Sequence, residues 1–242
     1  PKIKARPCIF EYIYFSRPDS IINGVSVYEY RKRFGAELAK ETHVESDLIV
    51  PVPDSGVPAS IGYAEKVKKN VELGIIRNHY VGRTFIEPTQ QIRSLGVKLK
   101  HSINRPLVKN KSIILIDDSL VRGTTSVKIV KMLYDAGAKE VHIRVASPPI
   151  KFPDYYGVDT PDQKELLAAK YNLEEMRKFI NANSLKFLSI EGLYKSMGFE
   201  KRNNLYPQFT DHCFTGDYPV KPIDANSKNV EEKKLSFMSS KS

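Results

Sequence analysis

The stretch IILIDDSLVRGTTS, residues 113 to 126, decides how the rest of the chain is read. Four apolar residues run directly into two carboxylates, Asp117 and Asp118, and then through Ser119 into a turn of Arg122, Gly123, Thr124, Thr125 and Ser126. A short unbroken apolar run is the pattern of a strand buried on both faces of a parallel sheet. The two charges at its end repel each other and need partners. The next residues supply them: Gly123 permits close backbone approach, the hydroxyls donate, and the free N–H groups opening the next helix favour an anion such as phosphate. One end of the loop therefore suits cations or sugar hydroxyls and the other suits a phosphate, and a phosphorylated sugar carries both. No Lys follows the glycine, so this is not a nucleotide-triphosphate P-loop, nor does it follow GxGxxG.

The flanking pattern places this loop in an α/β fold. Ser26 and Glu29 have capping-box spacing, and Val27, Tyr30, Phe34 and Leu38 recur at helical intervals through 27–41. EYIYF (11–15) reads as a short extended lead, DLIVPV (47–52) as a buried strand, PASIGYAEKVKK (58–69) as the next helix and VELGIIR (71–77) as a second strand. After the strand 112–117, residues 125–136 read as a helix with Val127, Val130, Met132 and Leu133 inward, ended by Gly137, and 140–147 as another strand. Alternating strands and helices predict a parallel sheet with flanking helices, whose ligands lie beyond the carboxyl ends of the strands, where Asp54 and Asp117 fall. Residues 162–200 read as three short helical pieces, and the Ser/Lys-rich stretch from 221 to 242 as a disordered tail.

Composition narrows the partners. The 242 residues, 41% hydrophobic and 27% charged, suffice for one large domain with a small appendage. No apolar run approaches the roughly 18 residues of a membrane span, so a soluble protein without a membrane partner is expected. Cys8 and Cys213 are the only cysteines, which points to a reducing cytoplasm rather than a disulfide framework. The formal charge of +10 suits polyanionic small molecules; without a basic run or an aromatic-interleaved motif, nucleic acid is not expected.

DDSLVRGTTS resembles the phosphoribosyl-diphosphate motif of type I phosphoribosyltransferases and, in this long form, the amidophosphoribosyltransferase family. EYIYFSRPDS (11–20), VPDSGVPAS (52–60) and NHYVGRTFIEPTQQIR (78–93) agree with that family, and the likeness runs to CFTGDYP at 213–219. The resemblance implies a type I phosphoribosyltransferase fold with a flexible lid loop and a C-terminal helical segment, over residues 25–220, with 1–24 as a linker and incoming strand from a glutaminase domain. It implies transfer of the phosphoribosyl group of 5-phosphoribosyl 1-diphosphate to ammonia, which glutamine supplies in the intact enzyme, giving 5-phosphoribosylamine and diphosphate, the first committed step of purine biosynthesis.

The same resemblance assigns roles. Asp54, Ser55 and Gly56 form the diphosphate loop; Asp117, Asp118, Ser119, Arg122, Gly123, Thr124, Thr125 and Ser126 bind the donor, with its phosphate on 122–126 and its ribose hydroxyls at Asp117 and Asp118; Ser55, Asp117 and Asp118 meet Mg²⁺, in part through diphosphate and water. Residues 77–100 form a lid that carries Arg77, His79, Tyr80, Arg83, Arg93, Lys98 and Lys100, with Arg77, Tyr80 and Arg83 brought to the reacting bond. Homotetramers are usual in the family, and purine nucleotides are candidate inhibitors. Its glutaminase nucleophile is an N-terminal cysteine; with Pro1 first and Cys8 internal, the expectation is a transferase half without glutaminase activity. Some members hold a 4Fe–4S cluster on four cysteines. Here Cys8 and Cys213 match two of those positions and Asp154 and Thr210 replace the others, so no intact cluster is expected. A salvage phosphoribosyltransferase, or a non-catalytic regulator that binds the same donor, shares the 113–126 motif and stays open.

Overall fold

A computed structural model describes residues 5–78, 101–156 and 162–220. In chain order the elements are a π-helical turn Glu11–Phe15, strands β1 (Ile21–Ile22) and β2 (Val25–Ser26), helix α1 (Val27–Thr42), β3 (Leu48–Pro51), α2 (Val57–Val67), β4 (Ile75–Arg77), β5 (His101–Ile103) and α3 (Arg105–Val108). They continue with β6 (Ser112–Asp117), α4 (Thr124–Asp135), β7 (Glu140–Val145), a 3₁₀ turn Gln163–Glu165, α5 (Leu167–Lys170), α6 (Leu173–Ile180), β8 (Ser184–Phe187), α7 (Ile190–Ser196) and α8 (His212–Thr215).

The centre is a four-stranded parallel sheet in the order β3-β6-β7-β8. The strand at 112–117 has the bounds its sequence predicts, since a run buried on both faces has no other stable place. Its side chains alternate. Ile114 and Ile116, with Ile49, pack against Tyr30, Phe34 and Leu38 of α1, Tyr63 of α2 and Tyr194 of α7, while Ile113 and Leu115, with Val50, pack against Ile129, Val130 and Leu133 of α4 and Ile180 of α6. Helices α1 and α2 touch backbone to backbone: a Cβ on Gly35 would lie 1.8 Å from the Ala59 carbonyl oxygen, and one on Gly62 would lie 1.8 Å from that of Lys32.

Several expectations need correction. EYIYF is a helical turn rather than an extended lead or incoming strand, and Ile9, Tyr12 and Ile13 are buried in the α1 face of the core. Ser26 is the N-cap of α1, but its side chain makes no capping hydrogen bond. The strand read at 71–77 divides: Val71 makes a single bridge to Ile49, Glu72 N–H donates to the Ile49 carbonyl at 2.8 Å, and only Ile75–Arg77 is a strand, antiparallel to His101–Ile103. The cause is the tight turn in which Gly74 N–H donates to the Glu72 carbonyl. In α4 the inward residues are Ser126, Ile129, Val130 and Leu133; Val127 and Met132 are half-buried. Residues 184–187, read within a helical region, form the edge strand β8, where Leu185 alone is buried. The tail expected at 221–242 lies outside the described residues.

Candidate active site at the carboxyl end of the sheet

Strands β3 and β6 run side by side, so the loops that leave their carboxyl ends meet. A cleft of about 460 Å³ opens there, lined by Ser55 from one loop, by Asp117 to Ser126 from the other, and by Phe10, Tyr14, Phe15, His101 and Ile150. The loop after β3 turns back on itself: Val52 N–H donates to the Ile116 carbonyl at 2.8 Å and Gly56 N–H to the Val52 carbonyl at 2.9 Å. A Cβ at Gly56 would fall 2.5 Å from the Ile116 carbonyl oxygen, so glycine is what lets this loop lie on the strand that carries the aspartates. The Pro53–Asp54 peptide is cis. Asp54 is exposed and forms an ion pair with Arg77.

Asp118 is 5% exposed and Asp117 is partly buried. Asp118 N–H donates to Asp117 Oδ1 at 2.9 Å, and Ser119 Oγ donates to Asp118 Oδ1 at 2.6 Å. Burial pushes the Asp117 carboxyl well above the usual carboxylate range, and the neighbouring Asp118 adds to it. Burial raises Asp118 too, against the opposing pull of Ser119, Ser55 and the positive charge of Arg31. Arg31 lies on α1, 4% exposed, and donates from Nε to the Tyr12 carbonyl at 3.0 Å and from Nη2 to the Ser16 carbonyl at 2.7 Å. It therefore fastens the π-helical turn to α1 and adds positive charge near Asp118.

Asp118 Oδ2 is buried with no hydrogen-bond partner. A buried carboxylate oxygen left bare is costly, and a hard cation that prefers oxygen, such as Mg²⁺, is the partner its chemistry fits. Among the described residues no three His, Cys, Asp or Glu side chains are grouped to hold a metal by themselves, so a cation here draws ligands from substrate and water as well.

Beyond the aspartates, Gly123 takes a left-handed φ of +76° and α4 begins at Thr124. Its first bond is from Val127 N–H to the Gly123 carbonyl, so the amides of Thr124, Thr125 and Ser126 precede the helical ladder and are available to an anion. Thr124 and Thr125 are exposed and Ser126 is buried. Arg122 donates from Nε to Glu165 Oε2 at 2.7 Å.

The chain belongs to the phosphoribosyl transferase domain family, whose model matches residues 30–151. It is 60% identical over 236 residues to the amidophosphoribosyltransferase of Rhizobium etli, covering 97% of this chain and 47% of that one. Against the amidophosphoribosyltransferase of Bacillus subtilis it is 50% identical over 213 residues, covering 88% and 44%. Among solved structures it is similar to the glutamine phosphoribosylpyrophosphate amidotransferase of B. subtilis complexed with ADP and GMP, at a TM-score of 0.82 and 48% identity, covering 91% of this chain and 49% of that one. The chain thus spans about half the length of the relatives it matches.

Family membership bears out the fold and the family read from the 113–126 motif. The structure brings Ser55, Asp117 and Asp118 to one cleft and places Arg77 against Asp54 beside it. Tyr80 and Arg83, with the other residues from 79 to 100 expected to form a lid, lie outside the described residues. Sequence reasoning missed Arg31, Glu165, His101 and the aromatic wall of Phe10, Tyr14 and Phe15; the EYIYF signature was the available signal for that wall. Around Cys8, Thr210 Oγ1 donates to the Arg6 carbonyl at 2.7 Å, and Asp154 Oδ2 lies 2.8 Å from His212 Nε2. Two thiols flanked by a committed hydroxyl and an Asp–His pair do not fit a four-cysteine iron–sulfur cluster.

Proposed function

We propose that this chain performs Mg²⁺-dependent transfer of the phosphoribosyl group of 5-phosphoribosyl 1-diphosphate to ammonia, giving 5-phosphoribosylamine and diphosphate. The observation that carries the reading is the pairing of a buried, unpartnered Asp118 oxygen with the free amides at the start of α4 in one cleft. The family and the names of the relatives support it.

In this reading the sugar phosphate rests on the amides and hydroxyls of Thr124, Thr125 and Ser126, while the ribose hydroxyls face Asp117 and Asp118. Diphosphate lies on the turn of Asp54, Ser55 and Gly56, where the amides of Asp54 and Ser55 meet the charge that grows as the bond at ribose C1 breaks, the Gly56 amide being held by the Val52 carbonyl. A bound Mg²⁺, held through Ser55, Asp117 and Asp118 with diphosphate and water, would neutralise part of that charge. Arg77 is tethered beside the turn by Asp54, and its approach to the diphosphate requires that pair to open. Tyr80 and Arg83 complete the lid over the bound donor. Ammonia attacks C1 from the face opposite the leaving group, and excluding water protects the oxocarbenium-like centre from hydrolysis. No protein nucleophile is required.

The proposal extends to the whole enzyme: glutamine as the ammonia source through a separate glutaminase part, a homo-oligomer, purine nucleotides as inhibitors, and a cytoplasmic location. The relative solved with ADP and GMP supports the nucleotide clause, and two unpaired cysteines suit a reducing compartment. The test supplies donor, magnesium and an ammonium salt and follows diphosphate release. Release is expected from the chain and not from Asp118→Asn; equal rates for the two sink the reading.

A further inference from the structure

Arg122 carries a positive charge in an anion-binding loop, and the simplest reading makes it a phosphate ligand. Its surroundings argue for a different task. Its Nε donates to Glu165 Oε2 at 2.7 Å, and both side chains are about half exposed. A carboxylate that close neutralises the arginine and would repel an arriving phosphate, which is a poor way to build a ligand.

The neighbouring contacts form a set. Leu167 N–H donates to the Val121 carbonyl at 2.9 Å, and a Cβ on Gly123 would meet Leu167 Cδ2 at 2.8 Å. Three successive loop residues, 121, 122 and 123, thus each touch the segment 165–167. That segment is itself fixed: Leu166 and Leu167 are 0% and 3% exposed, Glu165 N–H donates to the Asp162 carbonyl at 2.7 Å, and Asp162 caps the 3₁₀ turn through Lys164 N–H. Behind the loop therefore stands the hydrogen-bonded, partly buried segment 165–167, and the Arg122–Glu165 pair is the charged link between the two.

We propose that Glu165 is a positioning residue, which acts through Arg122 to brace the phosphate loop, and that Arg122 does not itself hold the phosphate. The inference deepens the reading of this site as a phosphoribosyl-diphosphate site and rests on it. The loop's amides and hydroxyls then bind the phosphate, and the pair keeps residues 121–123 in the shape that presents them.

A double-mutant cycle separates a brace from a ligand. Arg122→Ala, Glu165→Ala and the double variant are compared for the donor's KM and kcat with ammonium and for its affinity by calorimetry with magnesium present. A brace gives the same effect whichever half is removed: KM rises by about two- to five-fold in all three, the range of an exposed ion pair, with kcat and thermal midpoint unchanged. Three outcomes overturn the brace: an unchanged or lowered KM in Glu165→Ala, a rise above about ten-fold in Arg122→Ala alone, or additive effects in the double variant. A wild-type chain that neither binds the donor nor releases diphosphate overturns the underlying reading of the site instead, so the two failures are distinguishable.

Discussion

Gly56 is packed against the carbonyl oxygen of Ile116 with no room for a side chain: a Cβ there would lie 2.5 Å from that oxygen and 2.9 Å from the Val52 carbonyl oxygen. Both neighbours are backbone, so neither can rotate away. Gly56→Ala must push the turn of residues 53–56 off strand β6, and with it Ser55 away from Asp118. The expected result is a stability loss of about 1–3 kcal/mol by chemical denaturation, together with a fall in diphosphate release of more than about ten-fold. A variant with wild-type stability and turnover would show that the two loops do not need this contact.

Arg31 holds the two carbonyls of Tyr12 and Ser16 and supplies positive charge beside Asp118. Arg31→Met keeps much of the volume but takes the donor from one buried and one half-buried carbonyl and removes a positive charge near Asp118. A loss on the order of 3 kcal/mol is expected, measured by urea unfolding. Donor affinity should weaken as well, because the wall carrying Tyr14 and Phe15 loses its tether and the aspartates lose a nearby positive charge. Arg31→Lys should recover only part, since an ammonium lacks the guanidinium fork.

His142 offers a pH test away from the cleft. Its Nδ1 lies 2.9 Å from Ser184 Oγ and its Nε2 lies 3.5 Å from Glu140 Oε2. Burial holds its pKa below the ordinary value, with nearby Arg144 acting in the same direction and Glu140 opposing. The unfolded chain therefore binds more protons in the window between the lowered value and about 6.5. The contribution is intact above that window and is lost as pH falls through it. Relative to His142→Asn, the wild-type melting temperature should drop more steeply between about pH 7.5 and pH 5. Parallel curves for the two would remove His142 from the account.

Gly35 is one of the two equally tight points between α1 and α2, with 1.8 Å from its would-be Cβ to the Ala59 carbonyl oxygen. Gly35→Ala should separate the two helices and cost about 3 kcal/mol or more, despite the better helix propensity of alanine. An exposed-site control such as Lys40→Ala should stay within about 0.5 kcal/mol. Equal denaturation midpoints for the two variants would contradict the close packing.

How much of the fold and site was legible varies with the range of the interaction. Strand β6 and the turn after it were readable because a doubly buried strand, a charged end and a glycine-led helix start are all local patterns. The short strand β8 was not, since Leu185 alone points inward and one buried residue makes no period. VELGIIR read as one strand because its apolar content outweighs a single glycine, whereas Gly74 in fact turns the chain out of the central sheet.

By itself the sequence determined the alternation of strands and helices, the glycine-led loop after β6 and the family, because each rests on residues adjacent in the chain. The tertiary structure alone decided which distant groups serve that loop. The charge of Arg31 felt by Asp118, Glu165 against Arg122 and Gly56 against Ile116 join residues separated by 87, 43 and 60 positions. Nothing in local periodicity records such pairings; they exist because parallel strands β3 and β6 bring their carboxyl ends together and the helices must then cover both faces of the sheet.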